Sequence, residues 1–148
     1  MHIEVDQSGK VGKTNEDTIL AFSNGKQFTV LIPRSVKQRC LRELRNQGYE
    51  PHTIYLQMFV IGLYFLLREH MQRIALVIID IEYQGYDVKI RRFLLNLLRR
   101  DGLNVDKNQI GFGYIGKDSP AHTLAISTYR KEKVARLVLT FEDIMREF

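Results

Sequence analysis

The stretch Ile74-Ala-Leu-Val-Ile-Ile-Asp-Ile-Glu-Tyr83 most constrains what this chain can fold into. It is β-branched and aliphatic almost throughout, too short to span a bilayer, and followed at once by an amphipathic pattern. It therefore reads as a strand buried on both faces, at the centre of a sheet. Two carboxylates, Asp80 and Glu82, stand in it at i and i+2 and so point to the same face. An unpaired carboxylate is costly to bury, so a cation, a metal or an exposed strand end is expected beside them.

Around that strand the chain divides cleanly. Ile3-Glu-Val-Asp6 alternates and breaks at Gln7-Ser-Gly9, which predicts a short first strand with Glu4 and Asp6 on one face. Lys10 to Asn15 reads as a flexible basic loop. Asp17–Ser23 and Gln27–Ile32 flank Asn24-Gly25-Lys26, a hairpin signal. Pro33 ends the hairpin, and Ser35-Val-Lys-Gln38 has the form of a capping box opening a helix, with Val36, Cys40, Leu41 and Leu44 on one side and Gly48 placed to stop it. Pro51 suits the first turn of a second helix, running to about Met71 and apolar nearly all round.

After the central strand, Asp87 opens a helix with Ile90, Phe93, Leu94, Leu97 and Leu98 inward and Lys89, Arg91, Arg92, Arg99 and Arg100 outward. Gly102 ends it, and Gln109–Ile115 reads as a further strand. Asp118 or Ser119 then caps a helix with Pro120 in its first turn and Ala121, Leu124, Ala125 and Thr128 inward. From Val134 to Phe148 a helical period predicts a last helix, although Arg136–Thr140 alone could pass as a strand.

With 148 residues and 45% hydrophobic content, the chain fits one domain, 1–148, with a full core of its own. The net charge of +5 favours an anionic partner, nucleic acid first, with simple solubility as the plain alternative. The lone Cys40 excludes an intramolecular disulfide and a cysteine-based zinc site. Met1–Asp6 is acidic, without the apolar core of a signal peptide, and Ile54–Leu67 falls short of the roughly 20 residues a bilayer requires. A cytoplasmic protein with no membrane partner is expected. The apolar second and last helices could pack internally or against a second copy of the chain, so a homodimer stays open.

An antiparallel meander followed by parallel strands joined through helices makes an α/β mixed sheet of five strands, with helices on both faces. This order is similar to the ribonuclease H-like fold. The resemblance implies acids on the first strand, on the fourth strand and at the last helix, and Asp6, Asp80 or Glu82, and Asp118 stand at those places. Asp6-Gln-Ser-Gly9 looks like the Asp-x-Ser-Gly opening of a poorly characterised family of small ribonuclease H-like proteins. Gly116-Lys-Asp-Ser-Pro-Ala-His-Thr-Leu-Ala125 is similar to the start of the terminal helix in that family and in RuvC-type resolvases, with His122 where an Asp often stands.

Clustered carboxylates at adjacent strand ends repel one another, and the usual reason to tolerate that is a divalent cation with oxygen ligands. Asp6, Asp80, Glu82 and Asp118 are the candidate ligands for Mg2+ or Mn2+, with Glu4 a further ligand or a plain edge acid. Two such ions about 4 Å apart could activate a water and stabilise the leaving oxygen of a phosphodiester. Asp6, Asp80, Asp118 and His122 are the candidate catalytic residues, the histidine as a proton relay. Asp118 could equally be an ordinary N-cap. Lys10, Lys13, Lys89, Arg92 and Lys117 are the candidate nucleic-acid contacts, against the plain reading of solvated charge. Tyr83, Tyr86 and Tyr114 read first as packing. Gly9-Lys-Val-Gly-Lys-Thr14 is not a P-loop, because Gln7 stands where the first glycine belongs and no helix opens after Thr14.

The expectation is a magnesium- or manganese-dependent nuclease acting on DNA or RNA. A non-catalytic nucleic-acid-binding or assembly module that retains the fold is the alternative. A nucleotide-binding domain of actin-like ancestry would use Ser8–Thr14 on phosphates, and its missing duplicate half counts against it.

Overall fold

The computed structural model describes residues 1–148. Three strands, His2–Ser8 (β1), Thr18–Asn24 (β2) and Lys26–Ile32 (β3), form an antiparallel meander. The β2–β3 turn closes at Gly25, whose φ of +77° lies in the left-handed region that side chains disfavour. Leu76–Asp80 (β4) runs parallel to β1, and Ile110–Gly113 (β5) runs parallel to β4. The spatial order is β5-β4-β1-β2-β3, with Leu137–Val138 (β6) added parallel along the outer edge of β3.

Helices cover both faces of this α/β sheet. Arg34–Asn46 (α1), Pro51–Leu67 (α2) and Asp87–Arg100 (α3) lie on one face, where Cys40, Leu63, Ile90 and Leu94 join Ile3, Val5, Phe22, Val77 and Ile79 in the main core. Pro120–Tyr129 (α4) lies on the other, with Leu124 and Ala125 against Ile19 and Ala21. Strand alternation therefore sends Ile3 and Val5 into the main core and Glu4 and Asp6 toward α4. The near-complete apolarity of α2 follows from its depth: at Gly62 a Cβ would come within 2.6 Å of Leu20 Cδ1, so the helix backbone lies directly against the sheet. No helix is long and apolar enough to cross a membrane.

The ends of α1 show where local signals decide and where they do not. Gly48, at φ +96°, closes the helix, with its N–H on Arg45 O (3.0 Å) and the Tyr49 N–H on Leu44 O (3.0 Å). At the start, the expected Ser35–Gln38 capping box does not form. The helix begins at Arg34, whose N–H donates to Asp17 Oδ1 at 2.8 Å, while Gln38 Nε2 donates to Thr14 O at 2.9 Å. The acceptor comes from the β1–β2 loop instead of the helix's own sequence.

The sheet has six strands where five were expected, and the long last helix is replaced by β6 and a short helix, Phe141–Met145 (α5). The reason is the β3 edge. Val30 and Leu31 pair with Leu137 and Val138, Leu139 N–H donates to Leu31 O, and Arg136 N–H donates to Thr29 Oγ1, which satisfies groups an open edge would leave bare. Thr140 and Asp143 then form a reciprocal capping box that opens α5.

Candidate metal centre

The parallel register of β1 and β4 pairs Val5 with Ile79, so the next residue on each strand, Asp6 and Asp80, stand side by side. Past Asp80 the Ile81 N–H still reaches Gly113 O, after which the chain leaves the ladder and carries Glu82 back to the strand end. Carboxylate oxygens of Asp6, Asp80 and Glu82 all lie within 4.8 Å of one another. The predicted strand to Tyr83 is thus too long: Glu82 joins Asp80 through the bend after β4, beyond the last pleat.

The same register supplies the α4 contacts. Glu4 and Asp6, two apart on β1, face Ser119 and His122, three apart at the start of α4. Ser119 Oγ donates to Glu4 Oε1 at 2.8 Å and accepts from the Ala121 N–H, so Ser119 is the N-cap. His122 Nδ1 lies 2.8 Å from Asp6 Oδ2. With Asp6 ionised, Nδ1 carries the proton and Nε2 is left as the free acceptor. Asp6 Oδ1 takes the Gln7 N–H, and Asp80 Oδ1 takes the Ile115 N–H at 2.8 Å, fixing the turn from β5 toward α4.

Asp6 is buried and Asp80 and Glu82 are partly so, above apolar side chains that include Val5, Leu20, Phe59 and Ile79. Burial therefore pushes the Asp6 carboxyl above its ordinary value, with its hydrogen bond from His122 opposing and the Asp80 charge adding to the rise. Burial also pushes Glu82 up to about 6, opposed first by the neighbouring Gln7 amide, helped by Asp80, and opposed more weakly by the Lys10 ammonium. Both polar atoms of the Gln7 amide are buried beside these acids with no hydrogen-bond partner. An all-oxygen donor set of this kind suits a hard divalent cation such as Mg2+ or Mn2+.

The other expected residues divide. Asp118 and Lys117 are exposed in the turn before α4, and Asp118 is outside the carboxylate group. The N-cap role that was the plain alternative for Asp118 belongs to Ser119. Glu4 holds α4 through Ser119. On α3, Arg91 donates to Ile110 O, Arg99 to Val105 O, and Arg100 pairs with Glu147 at 2.6 Å. Only Lys89 and Arg92 remain, both near the Phe93 ring, on the sheet face opposite α4. Tyr83 packs on Phe59 and Tyr86 on His52, whereas Tyr114 is 76% exposed close after β5.

Sequence reasoning missed Gln7 and Lys37. Lys37 is fully buried, and its Nζ donates to Lys10 O (3.2 Å), Lys13 O (2.7 Å) and Thr18 Oγ1 (3.0 Å). The loop read as flexible is therefore held to α1. The available signal was a lysine three residues before Cys40 and four after Pro33, on a helix whose other inward positions are apolar; it is indistinguishable from a solvated lysine without the loop's position. No protein-family model matches the chain, and no curated protein or solved structure matches it significantly.

Proposed function

We propose that this protein is a ribonuclease H-like, divalent-metal-dependent nuclease that hydrolyses phosphodiester bonds in DNA or RNA. The observation that carries the reading is the convergence of Asp6, Asp80 and Glu82, within 4.8 Å, at the carboxyl ends of neighbouring parallel strands, with His122 on Asp6. The meander continued through β1 into parallel β4 and β5, and the helix that brings His122 to the first strand, are what the ribonuclease H-like resemblance implies.

Asp6, Asp80 and Glu82 are the residues that would hold Mg2+ or Mn2+, and the Gln7 amide lies within the same enclosure. When bound, the cation supplies Lewis-acid polarisation of a phosphoryl oxygen. Asp6 orients the His122 ring so that Nε2, on a side chain 31% exposed, is free to take or give a proton at the reacting oxygen. Lys10, close enough to offset Glu82, adds positive charge where a phosphate backbone would approach.

The non-catalytic binding module remains the second reading because α4 brings no carboxylate to the group. Calorimetric titration with Mn2+, followed by incubation with labelled single- and double-stranded oligonucleotides, separates the two. Saturable binding and cleavage, both lost in Asp6→Asn and Asp80→Asn with the fold intact, are expected of the nuclease. Oligonucleotide binding without cleavage, unchanged in both variants, would establish the module instead.

A further inference from the structure

We infer that Lys37 is a positioning residue that sets the Gly9–Thr14 loop as a phosphate-holding wall beside the carboxylates. The loop is built, not slack. Lys37 Nζ takes the carbonyls of Lys10 and Lys13 and the Thr18 hydroxyl, Gln38 holds Thr14 O, and Val11 is fully buried as an apolar plug. The β1–β2 connection closes at Gly9, where φ is +78° and a Cβ would stand 2.0 Å from Asp17 O. Asp17 in turn accepts the first N–H of α1.

This anchoring has a polarity. The buried ammonium takes up the Lys10 and Lys13 carbonyls, the Lys13 N–H closes back on Lys10 O, and successive backbone N–H groups left over in such a turn form an anion-binding concavity. None of the N–H groups of Gly9, Lys10 and Gly12, the solvent-reachable residues of this stretch, donates to another group of the chain. The Lys10 and Lys13 side chains are exposed on the same loop, and Lys10 acts electrostatically on Glu82. Undonated amides combined with two ammonium groups suit a phosphate oxygen, and the loop's departure from the end of β1, three residues past Asp6, suits a phosphate adjoining the one attacked. The assignment of that phosphate to a nucleic-acid backbone rests on the function proposed above; the anion site itself does not.

The test follows amide resonances of the metal-free protein by NMR during titration with inorganic phosphate. The amides of Gly9, Lys10 and Gly12 are expected to shift saturably, and Lys37→Met is expected to weaken that binding about tenfold or more. Mn2+ affinity measured by calorimetry should change less than about twofold, because the carboxylates do not touch Lys37. If Lys37→Met does not fold, Thr18→Val removes one of its three acceptors and should weaken phosphate binding in the same direction. Wild-type amides that do not move, or a folded variant that binds phosphate as wild type does while merely melting lower, would overturn the inference. Phosphate shifts in a protein that neither binds Mn2+ nor cleaves oligonucleotides would end the nuclease reading and leave this site standing.

Discussion

Lys37 and the Asp6–Asp80–Glu82 group are both buried charge next to the β1–β2 loop, and the chain treats them in opposite ways. The ammonium has three donors and meets three oxygen acceptors. The carboxylates meet each other, with one histidine, two backbone N–H groups and the Lys10 field against them. Burial pushes Lys37 down to about 8, with Glu16 and Asp17 opposing, and pushes Asp6 and Glu82 up. A charge whose hydrogen bonds are complete is a structural device, whereas like charges held together by the fold lack that completion, which is what the proposed cation would supply.

The strongest way to break this comparison is Lys37→Met, which strips two carbonyls and a hydroxyl of their donor. A loss of about 2–4 kcal/mol in urea unfolding is expected. A loss under about 1 kcal/mol would mean water replaces the amine freely, and the contrast would fail. Next comes metal: Mn2+ at about a hundred times its dissociation constant should stabilise the wild type by about 2.7 kcal/mol near neutral pH. Asp80→Asn should abolish that gain, measured as the shift in thermal midpoint.

The pH response is smaller and its sign is definite. Glu82 rises from the ordinary 4.5 to about 6, so the fold prefers its protonated form. Its contribution is full below pH 4.5 and is lost as pH rises through about 6 in the metal-free protein, worth at most about 1 kcal/mol once solvent screening is counted. Glu82→Gln should flatten that part of the profile, and saturating Mn2+ should reverse it. The smallest effect is expected on α3: Lys89→Ala and Arg92→Ala should each change stability by less than about 0.5 kcal/mol and leave oligonucleotide affinity nearly unchanged. A large affinity loss there would move nucleic acid to the opposite face of the sheet and favour the binding module.

What the sequence made legible was set by short-range chemistry. Gly25 fixes a turn, Pro51 and Pro120 occupy helix first turns, Gly48 ends α1, and the Ile74–Tyr83 run marks the central strand. Asp6 and Asp80 were within reach because a carboxylate stands out in an apolar strand. The inward set of α4, Ala121, Leu124, Ala125 and Thr128, is buried as its period predicts.

The rest depended on partners distant in the chain. Lys37 meets its acceptors 19 to 27 residues away, and Arg34 is capped from 17 away, so neither leaves a local pattern. Ser119 wins the cap over Asp118 because Glu4, 115 positions earlier, holds its hydroxyl. β6 owes its two paired residues to the open side of β3, so Arg136–Thr140 could be read as a strand but not preferred over the helical period around it. Glu82 reaches Asp80 through a bend that strict alternation does not foresee.

That added strand also bears on how the molecule behaves at high concentration. Without β6, β3 would offer a seven-residue border of unpaired backbone to any neighbouring chain. β6 occupies it with two residues, then turns away through the capped start of α5, while the opposite border, β5, is four residues long with glycine at two of them. Short outer strands of this kind blunt pairing between sheet edges. The stretch 136–139 therefore closes the border of β3 at Val30 and Leu31, and its removal would bare those two backbones as open edge.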